Sequence, residues 1–301
     1  MADQPRLRPM LPPLGPPNPN VAKKKARISA INILKEQFSL STWILLGAVI
    51  QGVVVLMVPL FYAVLPAMVI ISYRVVDVLL MTAGITRNRF LDGVIMGKFT
   101  GQIPNREGVY ANQPSDENVV AFQLITRLNH PLGVFSPGAL EIGKLAKDMY
   151  TALKEDPEKY GFLGQETLLG ADGREAGNHI ITMMYFRSLD DVHNFAHGPL
   201  HTDTWHWWNT KGKHYGYLTI GHELYSSSRN QWENIYINAE PTGLPGTVVK
   251  VKKIEEDGKE MDGQWEYVHP IIDARRGKLA KQYGRVNRSN QSTGKTVDYD
   301  Y

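Results

Sequence analysis

The stretch "HNFAHGPLHTDTWHWW", residues 193–208, holds four of the nine histidines of this 301-residue chain and three of its six tryptophans. Histidine changes charge near neutral pH, so a cluster of this density points either to metal ligation or to proton transfer. His193 and His197 stand four apart, as two ligands on one helix face would. A zincin helix also needs a Glu directly after the first His, and Asn194 occupies that position. Gly198-Pro199 predicts a helix break, with Pro199 opening a second helix, which separates His201 from the pair. No metal site is therefore expected, and the choice narrows to a solvated helix face or the wall of a catalytic pocket. The segment "HYGYLTIGHELYSS", 214–227, favours the pocket. Its alternation puts His214, Gly216, Leu218, Ile220, His222 and Leu224 on one strand face, and Tyr215, Tyr217, Thr219, Glu223 and Tyr225 on the other. A histidine held among aliphatic side chains keeps a neutral, basic imidazole suited to moving protons. A core histidine satisfied by a backbone carbonyl is the plain alternative for either one. Trp205, Trp207 and Trp208 are packing residues or a substrate platform.

The elements able to position these groups run in order along the chain. Residues 118–128, "NVVAFQLITRL", are β-branched and apolar and predict a first strand. The 137–161 segment has apolar residues at helical spacing. Residues 162–171 and 178–187 predict two strands linked by a hairpin turn at Asp172-Gly173. Ser188 offers a helix cap, with Asp190 and Asp191 in the first turn. The strand at 214–227 closes the set, and "WENIYINA", 232–239, predicts one strand more. The order β-α-β-β-α-β is that of a ferredoxin-like α+β unit. Two helices cover one sheet face and leave the other open, so a homodimer whose sheets face each other or close into a barrel is expected.

The formal charge of +3 gives no broad basic field, which argues against a nucleic-acid partner. The chain has no cysteine, so disulfides, thiolate metal sites and cysteine nucleophiles are excluded together. Trp43 to Met81 is apolar almost throughout and has no charged side chain before Arg74. A membrane span needs about 20 such residues. The run starts too deep in the chain for a cleaved signal peptide. Positive charge flanks it on both sides, at Lys23 to Arg27 and at Arg74, Arg87, Arg89 and Lys98. That distribution favours a transmembrane hairpin broken near Pro59 and Pro66 with both ends cytosolic, a single tilted span being the alternative. The expected location is a membrane, that of the endoplasmic reticulum, with the catalytic domain in the cytosol. Five segments result: a Pro-rich, then basic leader at 1–40, disordered at its start; the hairpin or span at 41–82; an irregular connector at 83–116; the ferredoxin-like domain at 117–245; and an extension at 246–301 without a core of its own.

Several separated motifs occur in order: "HPLGVFSPG", "FRSLDDVHNFAHGPLHTDTWHWWN", "HYGYLTIGHELY", "WENIYIN" and "PTGL". Over about residues 85–245 they resemble a fungal family of antibiotic-biosynthesis-type monooxygenase-like proteins, relatives of the fumagillin-pathway monooxygenase. The resemblance implies a dimeric α/β-barrel and the tailoring of a lipophilic terpenoid or polyketide intermediate. It also implies cofactor-free chemistry, in which a base deprotonates an enol or phenol and the carbanion reduces dioxygen. "GADGREAG", 170–177, lacks the G-x-G-x-x-G spacing of a dinucleotide site. Within this reading His222 is the expected base, His197 and His201 line the pocket, and Arg187 steadies a developing oxyanion. His130 stands at the pocket mouth, and His193, Trp205 and His214 contact substrate. Three alternatives stay open: haem bound through His214 or His222, a non-oxidative isomerase, cyclase or dehydratase, and a non-catalytic membrane-tethered binding protein.

Overall fold

The computed structural model describes residues 6–14, 30–171, 179–255 and 259–288. The expected turn at Asp172-Gly173 and the basic run Lys23 to Arg27 lie outside the described residues. After a short helical stretch at residues 30–35 come two apolar helices, α1 (Leu40–Met57) and α2 (Leu60–Thr82). Ser39 caps α1 by accepting a hydrogen bond from the Thr42 amide. At ~1.5 Å per residue both helices approach or exceed the ~30 Å hydrocarbon thickness of a bilayer. The chain turns between them at Val58-Pro59, and the Gln51 side chain reaches across to the Ala63 carbonyl at 3.1 Å. Pro66, expected to break the run with Pro59, lies inside α2. α1 buries no residue and α2 only Ala63, so their apolar side chains face outward.

Strand β1 (Ile95–Gly101) comes next, where an irregular connector was expected. Then come β2 (Val119–Leu128), helix α3 (Ala139–Glu155), β3 (Phe162–Leu169), β4 (Ile180–Phe186), helices α4 (Leu189–Ala196) and α5 (Pro199–Thr210), and β5 (Leu218–Ser227). The four strands β2 to β5 form one antiparallel sheet in the order β3-β4-β2-β5, the ferredoxin-like arrangement that the element order predicts. Ser188 accepts from the Asp191 amide at 3.1 Å and caps α4. Gly198-Pro199 separates α4 from α5, with Pro199 in the first turn of the latter.

Two cores lie on opposite faces of this sheet. On the helix face Val120, Met184 and Phe186 pack with Phe162, with Leu153 of α3 and with Val192 of α4. On the other face Val119 and Leu163 join Ile103, Tyr110, Leu244 and the C-terminal residues Val249, Val251, Val268, Ile272 and Leu279. The C-terminal members come from a hairpin of β7 (Val249–Ile254) and β8 (Glu260–Val268), from β9 (Ile271–Asp273) and from the 3-10 turn Gly277–Ala280. A short helix, α6 (Gln282–Arg285), closes the described chain. β1 is central in a three-stranded sheet between β9 and β6 (Tyr236–Ala239). Two expectations change. The 246–301 extension supplies a core, and the 232–239 strand pairs with the former connector instead of extending the main sheet. The reason is non-local: β1 pairs with partners about 140 and 170 residues away, which no local pattern encodes. The leader also differs from expectation. Residues 6–14 run along the C-terminal hairpin, with the Met10 amide on Ile271 O at 2.8 Å and the Leu14 amide on Tyr267 O at 2.7 Å.

Ile271 of β9 is fully buried. Ile271→Ala is expected to cost about 2–4 kcal/mol by removing buried methyl groups and leaving a cavity. Denaturant unfolding of the detergent-solubilised chain measures it; an unchanged midpoint would mean the C-terminal segment is an appendage.

Candidate functional site

The histidine cluster is assembled from two elements. α5 carries His201 one turn past the Gly198-Pro199 break, and β5, the sheet's edge strand, carries His222 opposite Leu124 of β2. Leu124, Phe122 and Leu224 pack toward the helix-side core, so His222 points to the helix layer, as its alternation with Leu224 requires. Its ring stacks on Phe122 with centroids 5.3 Å apart at 14°. His201 meets Phe195 of α4 edge-on at 6.1 Å. His197 ends α4, and its ring lies 4.0 Å from that of His193.

His201 is half-buried, and its neighbourhood decides its charge. Burial lowers its pKa below the ordinary histidine value, and the nearby imidazoles of His222 and His197 push the same way, against a hydrogen bond to the Ala196 backbone. His201 is therefore held neutral at pH 7. The Nδ1 of His197 is 2.9 Å from the His193 carbonyl. A carbonyl only accepts, so this nitrogen carries the proton and leaves Nε2 as the basic atom of the neutral ring. His197 and His222 thus lie close enough to His201 for their charges to act on its ring. The group is open: His193, His197 and His222 are exposed in the single chain. Among the described residues no group of three or more His, Asp or Glu is placed to hold a metal ion.

Other expected residues lie elsewhere. His214 closes a 3-10 turn, Gly212–His214, outside β5, and is exposed, so it does not share a strand face with His222. That turn is fixed by local contacts, with the Tyr215 amide on Gly212 O at 2.9 Å. Arg187 lies just past β4 at the seam between the two cores, where it donates to the Pro104 carbonyl at 2.5 Å. Burial lowers its pKa while Glu117 opposes that, and its charge is committed to this junction, away from the histidines. His130 accepts the Leu132 amide at 3.0 Å and packs edge-on against Tyr217 at 4.6 Å. It sits where β5 begins, about 13 Å along the strand from His222 at ~3.3 Å per residue. Trp205 is 59% exposed on α5, whereas Trp207 donates to Glu141 at 2.8 Å and ties α5 to α3.

Phe122 and Phe195, the rings against His222 and His201, carry no signal of their own in the sequence. Phe122 alternates with Val120 and Leu124, so its face was readable, though its partner was not. Across the sheet a second polar group was not legible at all. Glu166 accepts from Thr242 and, at 2.8 Å, from the Gly243 amide, and burial pushes the adjacent Tyr185 phenol up to about 12, helped by Tyr236 and Glu166. A cavity of about 180 Å³ lies elsewhere again, between residues 6–13, Tyr110 and the β7–β8 hairpin.

A ferredoxin-like domain bearing an imidazole cluster on its helix-side edge, preceded by two long apolar helices, defines the class of protein. Residues 119–244 match the family model "Monooxygenase af470-like". The chain is 31% identical over 257 residues to Monooxygenase af470 of Aspergillus fumigatus, covering 85% of this chain and 90% of that one. It belongs to the Monooxygenase af470-like family and is a monooxygenase-like enzyme. Partial likenesses to solved structures include an aldoxime dehydratase at 15% identity, TM-score 0.36, covering 50% of this chain and 40% of that one. SnoaB, a cofactor-independent oxygenase from Streptomyces nogalater, matches at 12% identity, TM-score 0.25, covering 38% of this chain and 95% of that one. The chain spans less than half of the aldoxime dehydratase.

The environment of His201 makes a pH prediction. Its folded pKa lies below the unfolded value of about 6.5. The unfolded chain then binds the proton more readily, so stability rises as pH climbs through the window between the two values. An NMR titration of the ring is expected to show a midpoint below the ordinary one, and His222→Gln should move it upward by removing a charge neighbour.

Proposed function

We propose that this chain is a membrane-anchored tailoring monooxygenase that inserts oxygen from dioxygen into a lipophilic terpenoid or polyketide intermediate without a bound cofactor. The observation that carries this reading is His201, held neutral beside His222 and His197 on one flank of the sheet. His201, in place of the His222 expected from the sequence because burial lowers its pKa while His222 is exposed, takes a proton from an activated carbon, an enol or a phenol, and His222 and His197 pass it to solvent. The carbanion is the reductant: it bonds to one oxygen of O₂, and the resulting hydroperoxide loses water to leave a carbonyl. A CH₂ group and O₂ thus become C=O and H₂O, with four electrons leaving carbon and four entering oxygen. The absence of cysteine and of a dinucleotide fingerprint supports this substrate-driven chemistry.

Membrane anchoring as a hairpin is supported by where the polar flanks bind. Ahead of α1, residues 6–14 bond to Tyr267 and Ile271, and the Gln37 side chain accepts from the Val134 amide at 2.9 Å. α2 leads directly back into the same domain. Flanks held to one domain lie on one side of a bilayer, which supports two crossings over one. Placement in the endoplasmic reticulum with a cytosolic domain is supported by the basic flanks. A homodimer is supported by the exposed edge strand β5 and by the exposed Leu168 and Tyr225 on the sheet's other face.

Expression of the chain in a metabolite-producing fungal host under ¹⁸O₂ tests the reaction. A product two mass units heavier per inserted atom is expected, and His201→Ala should lower its formation by about 10²–10⁴-fold. Unlabelled product, or formation unchanged in the His201→Ala/His222→Ala double variant, would remove the oxygenase reading or the base assignment respectively.

A further inference from the structure

Gln37 fixes more than a loop. Its side chain is buried against Gly133, whose φ of +48° and bare Cα leave room for it; a Cβ there would come within 1.7 Å of the Gln37 amide nitrogen. Leu40, the first residue of α1, lies three residues further on. A fully extended chain of three residues reaches about 10 Å. The 130–136 loop is therefore tethered to the start of the first apolar helix by three residues of chain and one side chain. Trp43, in the first turn of α1, packs edge-on against Phe38 at 5.5 Å and donates to the Lys35 carbonyl at 3.0 Å. An aromatic ring with its N–H satisfied at a helix entry suits the headgroup level of a bilayer.

The surface held there is apolar. Leu132 is 55% exposed, Phe135 62% and Leu140 83%, all within nine residues of chain. Backbone hydrogen bonds fold the loop into a 3-10 turn, with the Phe135 amide on Leu132 O at 3.0 Å and the Ser136 amide on Gly133 O at 2.9 Å. Large apolar side chains are not turned outward together without a cost in water. We propose that Leu132, Phe135 and Leu140 form a lipid-docking face that seats in the headgroup and acyl boundary of the bilayer crossed by α1 and α2. The proposal rests on the membrane reading above and deepens it. Tyr217, one residue before β5, donates to the Pro137 carbonyl at 3.0 Å from the same loop. Docking therefore holds the beginning of β5, and with it the open flank leading to His222, against the lipid. A substrate leaving the bilayer there would have only about 13 Å of strand to follow to His222, four residues on at ~3.3 Å each.

The chain lacks cysteine, which makes the test direct. The single variants Phe135→Cys, Leu140→Cys, Ile50→Cys and Lys253→Cys are each labelled with an environment-sensitive nitrobenzoxadiazole probe. The full chain is then reconstituted in phosphatidylcholine–phosphatidylserine vesicles containing doxyl-labelled lipid. Probes at 135 and 140 are expected to be quenched by doxyl groups near the headgroup, the probe at 50 by deep ones, and the probe at 253, on the far hairpin, by neither. Gln37→Ala should weaken quenching at 135 and leave 50 unchanged. Quenching at 50 without quenching at 135 and 140 overturns the docking face and spares the membrane reading. No quenching at 50 overturns the membrane reading and the docking face with it. Quenching at 253 equal to that at 135 also overturns the proposal, because no face would then be selected.

Discussion

Strand β2 has both of its faces buried at one end, and the molecule is organised around that fact. Val119 enters one core and Val120 the other, and each is almost completely removed from water. Because side chains alternate with a period of two, a slip of one residue would exchange the two sets and strand both. Register along β2 is thereby fixed, and the pairing with β5 carries the fixed register outward to the edge. The position of His222 opposite Leu124, facing the helices, is a consequence of Val120 facing them. A polar residue at Val120 would not only open a core; it would remove the reason for His222 to point where it does.

The edge location explains the chemistry that is and is not built in. α5 packs on α3 through Trp207 and Glu141, which places His201 over the outer strand instead of the middle of the sheet. The neutral state of His201 comes mainly from burial, while the rings beside it raise the cost of a second positive charge. An imidazole held below its ordinary pKa by burial is a proton acceptor near neutral pH, the role proposed above for His201. The ring of His201 is set edge-on to Phe195 and that of His222 is stacked on Phe122.

The sequence carried the main sheet well because each of its elements announces itself locally: a β-branched run, a Ser cap before two aspartates, a Gly-Pro break between short helices. The histidines were legible for the same reason, although spacing alone set His214 on the strand with His222. Its local turn begins at Lys211 and competes with strand pairing, and the strand starts four residues after His214. What stayed hidden depends on distant partners. β1 reads as connector because Gly97 and Gly101 interrupt it, and it becomes a strand only between β6 and β9. The C-terminal extension reads as polar because its short strands bury one side each; Val249 and Val251 are buried while Lys250 and Lys252 are half-buried. Half of a small core gives too weak a pattern to be recognised without its other half. Arg187 shows the converse, a residue type suited to catalysis that a junction between cores has already claimed.

In the proposed function, an open cluster and a membrane anchor are two parts of one solution. Carbanion chemistry needs the reacting carbon kept from water, yet His222 is exposed on its edge strand in the isolated chain. A deep pocket would meet the need by surrounding a small polar substrate with protein. A large apolar substrate brings its own water-excluding surface and needs only a flank to lie on, provided it arrives undiluted. Dilution is the obstacle, because such a molecule is scarce in water and abundant in lipid. One buried glutamine and one glycine tie the entry of the first apolar helix to the loop at the foot of β5. If the proposed lipid docking holds, that tie sets the flank beside the source of an apolar substrate, and the physical cost of an unenclosed site is met by geometry outside the site.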